Sequence, residues 1–272
     1  MEGVIDLKFE NARTMNWEGA LRGMRNPMNS WDKSDSVFGI VNTNNSKEYC
    51  HVFDSKGNFI DDRGYIRCDD CPERLVYLVY KSYPYAEAIS IGENDLNLAQ
   101  KLIRAGSEHR KFMRQIFVCV DITAPLYWWK EFDTYKVATV RNSCSTMHKI
   151  HSKPFNKDDF THDVIDDIDI VVSEQFNNTL TTLEYLRNSF NETKEKKYWK
   201  ALIQLLPDSY EMKATLTFNY ETLLGMCSKG QRRFHKLNEW SGIDNPELPN
   251  FISWARTLPY AQELIFIDEV SE

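Results

Sequence analysis

The residue types best suited to chemistry lie in one polar stretch, Glu131–Ile150, which follows the adjacent tryptophans Trp128 and Trp129. Within this stretch Ser143 and Ser145 carry hydroxyls that both donate and accept hydrogen bonds, so they can contact a phosphate or a base edge. Serine, threonine and asparagine also cap helices and turns, so the stretch is either a ligand-binding loop or the cap of the next element. At least one tryptophan ring is expected in the core, and the other either joins it or stacks on a planar ligand.

A zinc site is a second candidate. Cys68 and Cys71 form a Cys-x-x-Cys pair, and Cys50 with His51 lies upstream, so four zinc ligands can be drawn. A zinc ribbon has two such pairs and this chain has one. A hairpin with free cysteines is therefore the alternative.

Composition limits the classes of function. The chain has 272 residues and a net charge of -7, which excludes broad binding to a nucleic-acid polymer because phosphate neutralisation needs a basic surface. No apolar run approaches the roughly 20 residues that cross a bilayer, and the first residues lack the basic and apolar regions of a secretory signal. We expect a single domain over 1–272, in the cytoplasm and without a membrane partner.

Periodicity predicts the elements that must position these residues. Asp95 caps a helix that Gly106 ends, the strand "RQIFVCVDI" buries alternate residues, and Pro125 opens a helix that contains both tryptophans. Three further elements are a hairpin over residues 46–80 with its turn at Lys56–Asn58, an acidic loop over residues 155–176, and one long helix from Leu180 to Leu206. The acidic loop is either a divalent-metal site or, as we favour, a solvated face.

The order of these segments resembles the flavin-dependent thymidylate synthases, the ThyX family. The segments that carry the resemblance are "GSEHRKFMR", "RQIFVCVDITAP", "LYWWKEFD" and "TYKVATVRNSCSTM", then "LLPDSYEMKATLTFNYETLLGMCSKGQRRFHKLNEW", and near the beginning "EGALRGMRNPMNSWDKSDS". The resemblance covers most of the chain and implies an α+β fold, with an antiparallel-rich sheet flanked by long helices. Residues 46–80 are an insertion relative to this pattern.

The chain departs from the family signature R-H-R-x-x-S-x-x-x-x-S-x-R. The Arg-His-Arg triplet falls on Thr134, Tyr135 and Lys136, and the final arginine falls on Met147. An arginine that holds a phosphate makes charge-assisted contacts worth on the order of 2 kcal/mol, which methionine cannot replace. The arginine that follows the family's flavin-side asparagine falls on Glu221, whose charge would repel a phosphate.

The resemblance also implies which residues contact ligands. The implied nucleotide contacts are Arg141, Ser143, Ser145, Lys213 and Arg232, with Arg141 supplying the charge that Met147 lacks. The implied FAD contacts are Ser30, His109, Lys136 and Asn219.

The function implied by the resemblance is binding of FAD and of a pyrimidine nucleotide, dUMP or a relative. An active member would transfer a one-carbon unit reductively to C5 of the base, with NADPH and methylenetetrahydrofolate as co-substrates and a homotetramer as its assembly. The alternatives are an inactive nucleotide-binding or scaffold protein of the same fold, and a zinc-hairpin interaction module built on Cys50, Cys68 and Cys71.

Overall fold

The computed structural model describes residues 7–42, 52–53, 77–82, 85–228 and 232–269, with backbone alone for 40–42, 52–53, 77–82 and 85–88. The strands are β1 (Lys8–Met15), β2 (Val37–Asn42), β3 (Val52–Phe53), β4 (Tyr77–Ser82), β5 (Tyr85–Ser90), β6 (Phe117–Pro125), β7 (Val140–Ser143) and β8 (Glu211–Asn219). The helices are α1 (Trp17–Arg25), α2 (Glu93–Arg104), α3 (Leu126–Tyr135), α4 (Thr146–Lys149), α5 (Ile165–Ile168), α6 (Ile170–Thr193), α7 (Lys196–Leu205), α8 (Tyr220–Met226), α9 (Asn238–Ser241), α10 (Phe251–Arg256) and α11 (Ala261–Leu264). Short 3-10 turns connect several of them.

Two antiparallel sheets form the β part of the fold. The first has the strand order β1-β6-β8-β7 and the second the order β3-β2-β5-β4. Along β6 the side chains of Val118, Val120 and Ile122 are buried, while Cys119 and Asp121 between them are partly exposed. Such alternation is typical of an antiparallel sheet with one face on the core and one toward water. The predicted strand and its buried face are confirmed.

An aromatic core covers the inner face of the first sheet. Trp128, Trp129 and Phe132 of α3 are buried there, and the Trp128 ring lies 5.7 Å from that of Trp240 and 6.0 Å from that of Phe251. The indole N–H of Trp129 donates to the backbone oxygen of Met212 on β8. Because both rings are buried, neither is available to stack on a ligand, and the stacking alternative is wrong.

A second, smaller core lies between α6 and α7. It contains Phe160, Phe176, Leu183 and Leu202, all buried. The predicted single helix is therefore wrong: the chain leaves α6 at Lys194, whose φ of 58° is left-handed, and α7 packs back against α6.

Two further sequence predictions change in detail. The acidic segment is a loop only in part, because a 3-10 turn, α5 and the start of α6 lie within it. Helix α2 begins at Glu93 with Gly92 as its cap, and Asp95 lies inside the helix, fully buried. Gly106 follows the helix end with a φ of +106°, as predicted. The predicted hairpin turn at residues 56–58 lies outside the described residues.

The α+β class with antiparallel sheets and flanking helices is confirmed. Within the described ranges, α6 is the longest helix, and no helix combines the length and the apolar composition needed to span a membrane.

Candidate functional site

The C-terminal end of α3 gathers the charged residues that are best placed for binding. The Oδ1 atom of Asp133 lies 3.1 Å from Nζ of Lys136 and 3.0 Å from Nη1 of Arg141. The Arg141 contact is an ion pair rather than a hydrogen bond, because its N–H geometry is unsuitable. The guanidinium of Arg141 also lies 5.0 Å from the centre of the Trp129 ring. Two predicted ligand residues thus meet at one carboxylate.

A third cation lies on the other side of the same helix end. Arg232 lies over the ring of Tyr135 at 4.3 Å and donates to the backbone oxygen of Gly225. The hydroxyl of Tyr135 bonds to Glu131, and this bond, with burial, raises the pKa of Tyr135. Nε2 of His235 lies 3.2 Å from the same Glu131 carboxylate. The helix end therefore carries three permanent cations and two carboxylates.

We name Lys136, Arg141 and Arg232, with Asp133 and Glu131, the α3-end cluster. Its excess of positive charge and its half-buried guanidinium groups suit an anion, since planar N–H donors bind carboxylate and phosphate oxygens in pairs. Sequence reasoning missed Asp133 and Glu131. The spacing of Asp133 and Lys136 gave a signal, because residues three positions apart lie on the same face of a helix.

The predicted hydroxyl contacts have other roles. Ser145 caps α4, its Oγ accepting from the backbone N–H of His148 at 3.0 Å, so the capping alternative holds for this residue. Ser143 is exposed at the end of β7, opposite Ala214. Both serines are exposed, but the Ser145 hydroxyl already serves as a cap, whereas Ser143 has no such role.

Lys213 lies apart from the α3-end cluster. Its Nζ lies 2.8 Å from a carboxylate oxygen of Glu10 and 3.6 Å from one of Asp121, across the open face of the first sheet. Arg141 is paired with Leu216, which is buried on the other face. The two predicted phosphate ligands therefore point to opposite sides of the sheet.

The four predicted FAD contacts divide into two groups. Lys136 belongs to the α3-end cluster, and His109 is exposed on the turn after α2. Ser30 is buried and accepts from Arg25 at 3.4 Å. Asn219 is buried and caps α8, its Oδ1 accepting from the backbone N–H of Thr222 at 3.0 Å.

The charge reversal at Glu221 has a structural partner that the sequence did not reveal. Its carboxylate accepts from Nε of Arg110 at 3.1 Å and from Arg114. Burial would raise the pKa of Glu221, but the hydrogen bonds from Arg114 and Arg110 outweigh it and the pKa lies below its ordinary value. The carboxylate is therefore ionised and held between two guanidinium groups.

No metal centre is found in the described part of the chain, where no three His, Cys, Asp or Glu side chains come together suitably. The acidic residues 158–169 belong to this part of the chain, and the two alternatives given for them stay predictions. The zinc candidates Cys50, Cys68 and Cys71 lie outside the described residues and stay a prediction. The described cysteines Cys119, Cys144 and Cys227 are free thiols.

Comparisons with known proteins give the fold. No protein-family model matches the sequence, and no curated protein matches it. Among solved structures, flavin-dependent thymidylate synthase ThyX from Helicobacter pylori complexed with FAD and dUMP is 11% identical, covers 97% of this chain and 99% of its own, and has a TM-score of 0.52. A second ThyX structure from Helicobacter pylori with FAD and dUMP is 11% identical, covers 98% and 99%, and has a TM-score of 0.48.

The UMP/dUMP methylase PolB from Streptomyces cacaoi, bound with 5-Br dUMP, is 13% identical, covers 65% of this chain and 82% of its own, and has a TM-score of 0.41. At these identities the likeness concerns the fold. The chain therefore has a fold similar to that of ThyX, over nearly its whole length.

Proposed function

We propose that this chain is a divergent ThyX-like protein that binds a pyrimidine nucleotide, dUMP or a relative, together with FAD. The observation that carries the proposal is the α3-end cluster, located on a chain whose fold resembles that of a protein complexed with FAD and dUMP. The phosphate would bind Arg141, with Lys136 beside it at Asp133. Arg232 would add positive charge from the other side of the helix end. If the protein is active, the reaction is reductive one-carbon transfer to C5 of the base, with NADPH and methylenetetrahydrofolate as co-substrates.

Arg141 is the best-positioned phosphate contact. Its guanidinium is fixed on one side by Asp133 and on its face by the Trp129 ring, so little side-chain freedom is lost when a ligand binds. Asp133 balances only one of the two cations it contacts. The remaining positive charge is available to a nucleotide phosphate.

The residues implied for FAD fit that cofactor only in part. His109 and Lys136 are accessible to a flavin phosphate, whereas the Ser30 and Asn219 side chains are buried in internal hydrogen bonds. FAD, when bound, supplies the electron transfer that such a reaction needs.

Nucleotide and flavin binding can be measured separately. Isothermal titration measures the dUMP affinity of the wild type and of Arg141→Met. Flavin binding is measured by incubating the protein with FAD, removing the excess by gel filtration, and recording the visible absorbance of the protein. Loss of a charge-assisted contact of about 2 kcal/mol predicts roughly thirtyfold weaker dUMP binding. Arg187→Met is the matched control, because Arg187 pairs with Glu184 on α6 and its loss leaves dUMP affinity unchanged.

The results separate the two functions. Retained flavin and an Arg141-dependent dUMP affinity support the proposal, and turnover is then assayed with NADPH and methylenetetrahydrofolate. Arg141-dependent dUMP binding without flavin favours the second candidate, a catalytically inactive nucleotide-binding or scaffold protein. The internal hydrogen bonds of Ser30 and Asn219 support this candidate, because they occupy two side chains implied for FAD. Absence of both binding activities contradicts the proposal.

We also propose a homo-oligomer, a tetramer by resemblance. Light scattering coupled to gel filtration gives its mass. A monomer at micromolar concentration would contradict this part of the proposal.

A further inference from the structure

An exposed aliphatic surface lies where the chain enters α6. Val164, Ile168, Ile170 and Val171 are 59%, 62%, 69% and 69% exposed. Val164 and Ile168 are four residues apart across α5, which places them on the same side, and Ile170 and Val171 open the next helix. We name these four residues, with the neighbouring Asp166, Asp167 and Asp169, the acidic aliphatic patch.

The outward direction of these side chains follows from the turn between α5 and α6. Asp169 is extended, with a φ of -164°, and its carboxylate accepts from the backbone N–H of Val172 at 2.9 Å, which starts α6 there. Ile165 and Phe176, from the same segment, pack into the second core. The core is thus filled without the four exposed residues, and their apolar surface serves no packing within the described residues.

Charge around the patch selects the partner. From Lys157 to Glu174 the acidic residues are Asp158, Asp159, Asp163, Asp166, Asp167, Asp169 and Glu174, and the only permanent cation is Lys157. Lys157 pairs with Asp166, while the Asp167 carboxylate is exposed and forms no ion pair or hydrogen bond with another described side chain. An anionic lipid surface would be repelled by this charge, whereas a cationic segment would be attracted.

We propose that the acidic aliphatic patch docks a cationic amphipathic helix of a partner protein. Its apolar side would cover Ile168, Ile170 and Val171, and its lysines or arginines would face Asp166 and Asp167. Exposed apolar surface rimmed by charge is typical of such docking sites. This inference is independent of the nucleotide proposal, because the patch includes no residue of the α3-end cluster.

A designed peptide tests the surface directly. The probe is a fluorescein-labelled helical peptide of leucine and lysine at amphipathic spacing, and the control peptide has the same composition in scrambled order. Fluorescence anisotropy with the full chain is expected to show binding at least about tenfold tighter for the amphipathic peptide. Equal binding of both peptides would mean unspecific charge attraction and would overturn the proposal.

Variants locate the binding. The triple variant Ile168→Ser, Ile170→Ser, Val171→Ser is expected to weaken the amphipathic peptide about tenfold or more, and Asp166→Asn with Asp167→Asn to lower both affinity and its dependence on salt. Ile243→Ser is the matched control, since Ile243 is also exposed, at 54%, in another turn. Unchanged urea unfolding confirms that the variants fold.

Two further results would overturn the proposal. The first is a peptide affinity in the triple variant equal to that of the wild type. The second is light scattering that shows a concentration-dependent oligomer of the wild type and its loss in the triple variant, which would make a second copy of this chain the occupant.

Discussion

Removal of the Asp95 carboxylate is expected to destabilise the protein more than any exposed substitution. The Asp95 side chain is 0% exposed and lies 2.5 Å from Nε of Arg25, itself buried. It also accepts from the hydroxyls of Ser34 at 2.7 Å and Ser36 at 2.6 Å, and from the backbone N–H of Ser36 at 3.2 Å. One carboxylate thus joins α1, the loop that follows it, and α2.

The magnitude follows from what the Asp95→Ala variant leaves behind. Burial would raise the pKa of Asp95, but hydrogen bonds from Ser34, Ser36 and Arg25 lower it below its ordinary value, so the native carboxyl is ionised. Without it the Arg25 charge is buried and unpaired, which costs about 3–5 kcal/mol. A typical domain is stable by about 5–15 kcal/mol, so about a fifth or more of the total is at risk.

Urea unfolding followed by tryptophan fluorescence measures this loss. Asp244→Ala is the matched control, because Asp244 is exposed and its removal should change the free energy of unfolding by less than about 0.5 kcal/mol. A loss below about 1 kcal/mol for Asp95→Ala, with an unchanged m-value, would refute the reasoning.

A double variant separates charge pairing from hydrogen bonding. Arg25→Met with Asp95→Leu removes both charges and keeps the volume, and such replacements are often neutral, so it should recover most of the stability. A double variant as unstable as Asp95→Ala would show that the serine hydrogen bonds, rather than the ion pair, hold α2 in place.

Three further predictions concern single positions. A hydrogen bond from Arg256 lowers the pKa of Glu269 from 4.5 to about 2, so its stabilisation is complete above pH 4.5 and is lost as the pH falls toward 2. Glu269→Gln should therefore remove about 1–2 kcal/mol of the pH dependence in that window, measured by urea unfolding at each pH. Gly106→Ala should lower the free energy of unfolding by about 1 kcal/mol or more, measured by thermal unfolding, because φ is +106° at this position. The new Cβ would meet no atom within 4 Å, so a steric clash with a neighbour cannot explain the loss. Asn219→Ala should lower the free energy of unfolding, measured in urea, by about 1 kcal/mol, while Asn219→Asp should retain the helix cap and most of the stability. Equal losses in both variants would contradict the capping role.

Local periodicity was sufficient for the elements with one buried face. Strand β6 was predictable because Val118, Val120 and Ile122 alternate with partly exposed residues, and α3 because an apolar face recurs after Pro125. The break between α6 and α7 was not predictable, because lysine rarely adopts the left-handed conformation that Lys194 has, and because the apolar stripe continues on both sides of it. Tertiary packing of α7 against α6 decides the break, and a sequence pattern does not contain it.

The candidate site was predictable only as a set of residue types. The sequence identifies the stretch around Arg141 as polar and basic, but the ion pair of Arg141 with Asp133 depends on a turn in which Ala138 has a φ of 57°. Alanine gives no signal for a left-handed conformation. The capping role of Ser145 was foreseen as one of two alternatives, and the structure selects it.

The contacts of Glu221 change how the departures from the family signature should be weighed. In the linear resemblance an arginine is lost at Glu221, but in space Arg110 and Arg114 surround this carboxylate, so the group retains one net positive charge. No comparable pair of arginines replaces the charge lost at Met147, which is 47% exposed. Arg141 lies earlier in the same stretch. The charge at the α8 end therefore argues less strongly against an anionic ligand than the sequence suggested. The Met147 position, by contrast, leaves Arg141 as the residue on which nucleotide binding would depend.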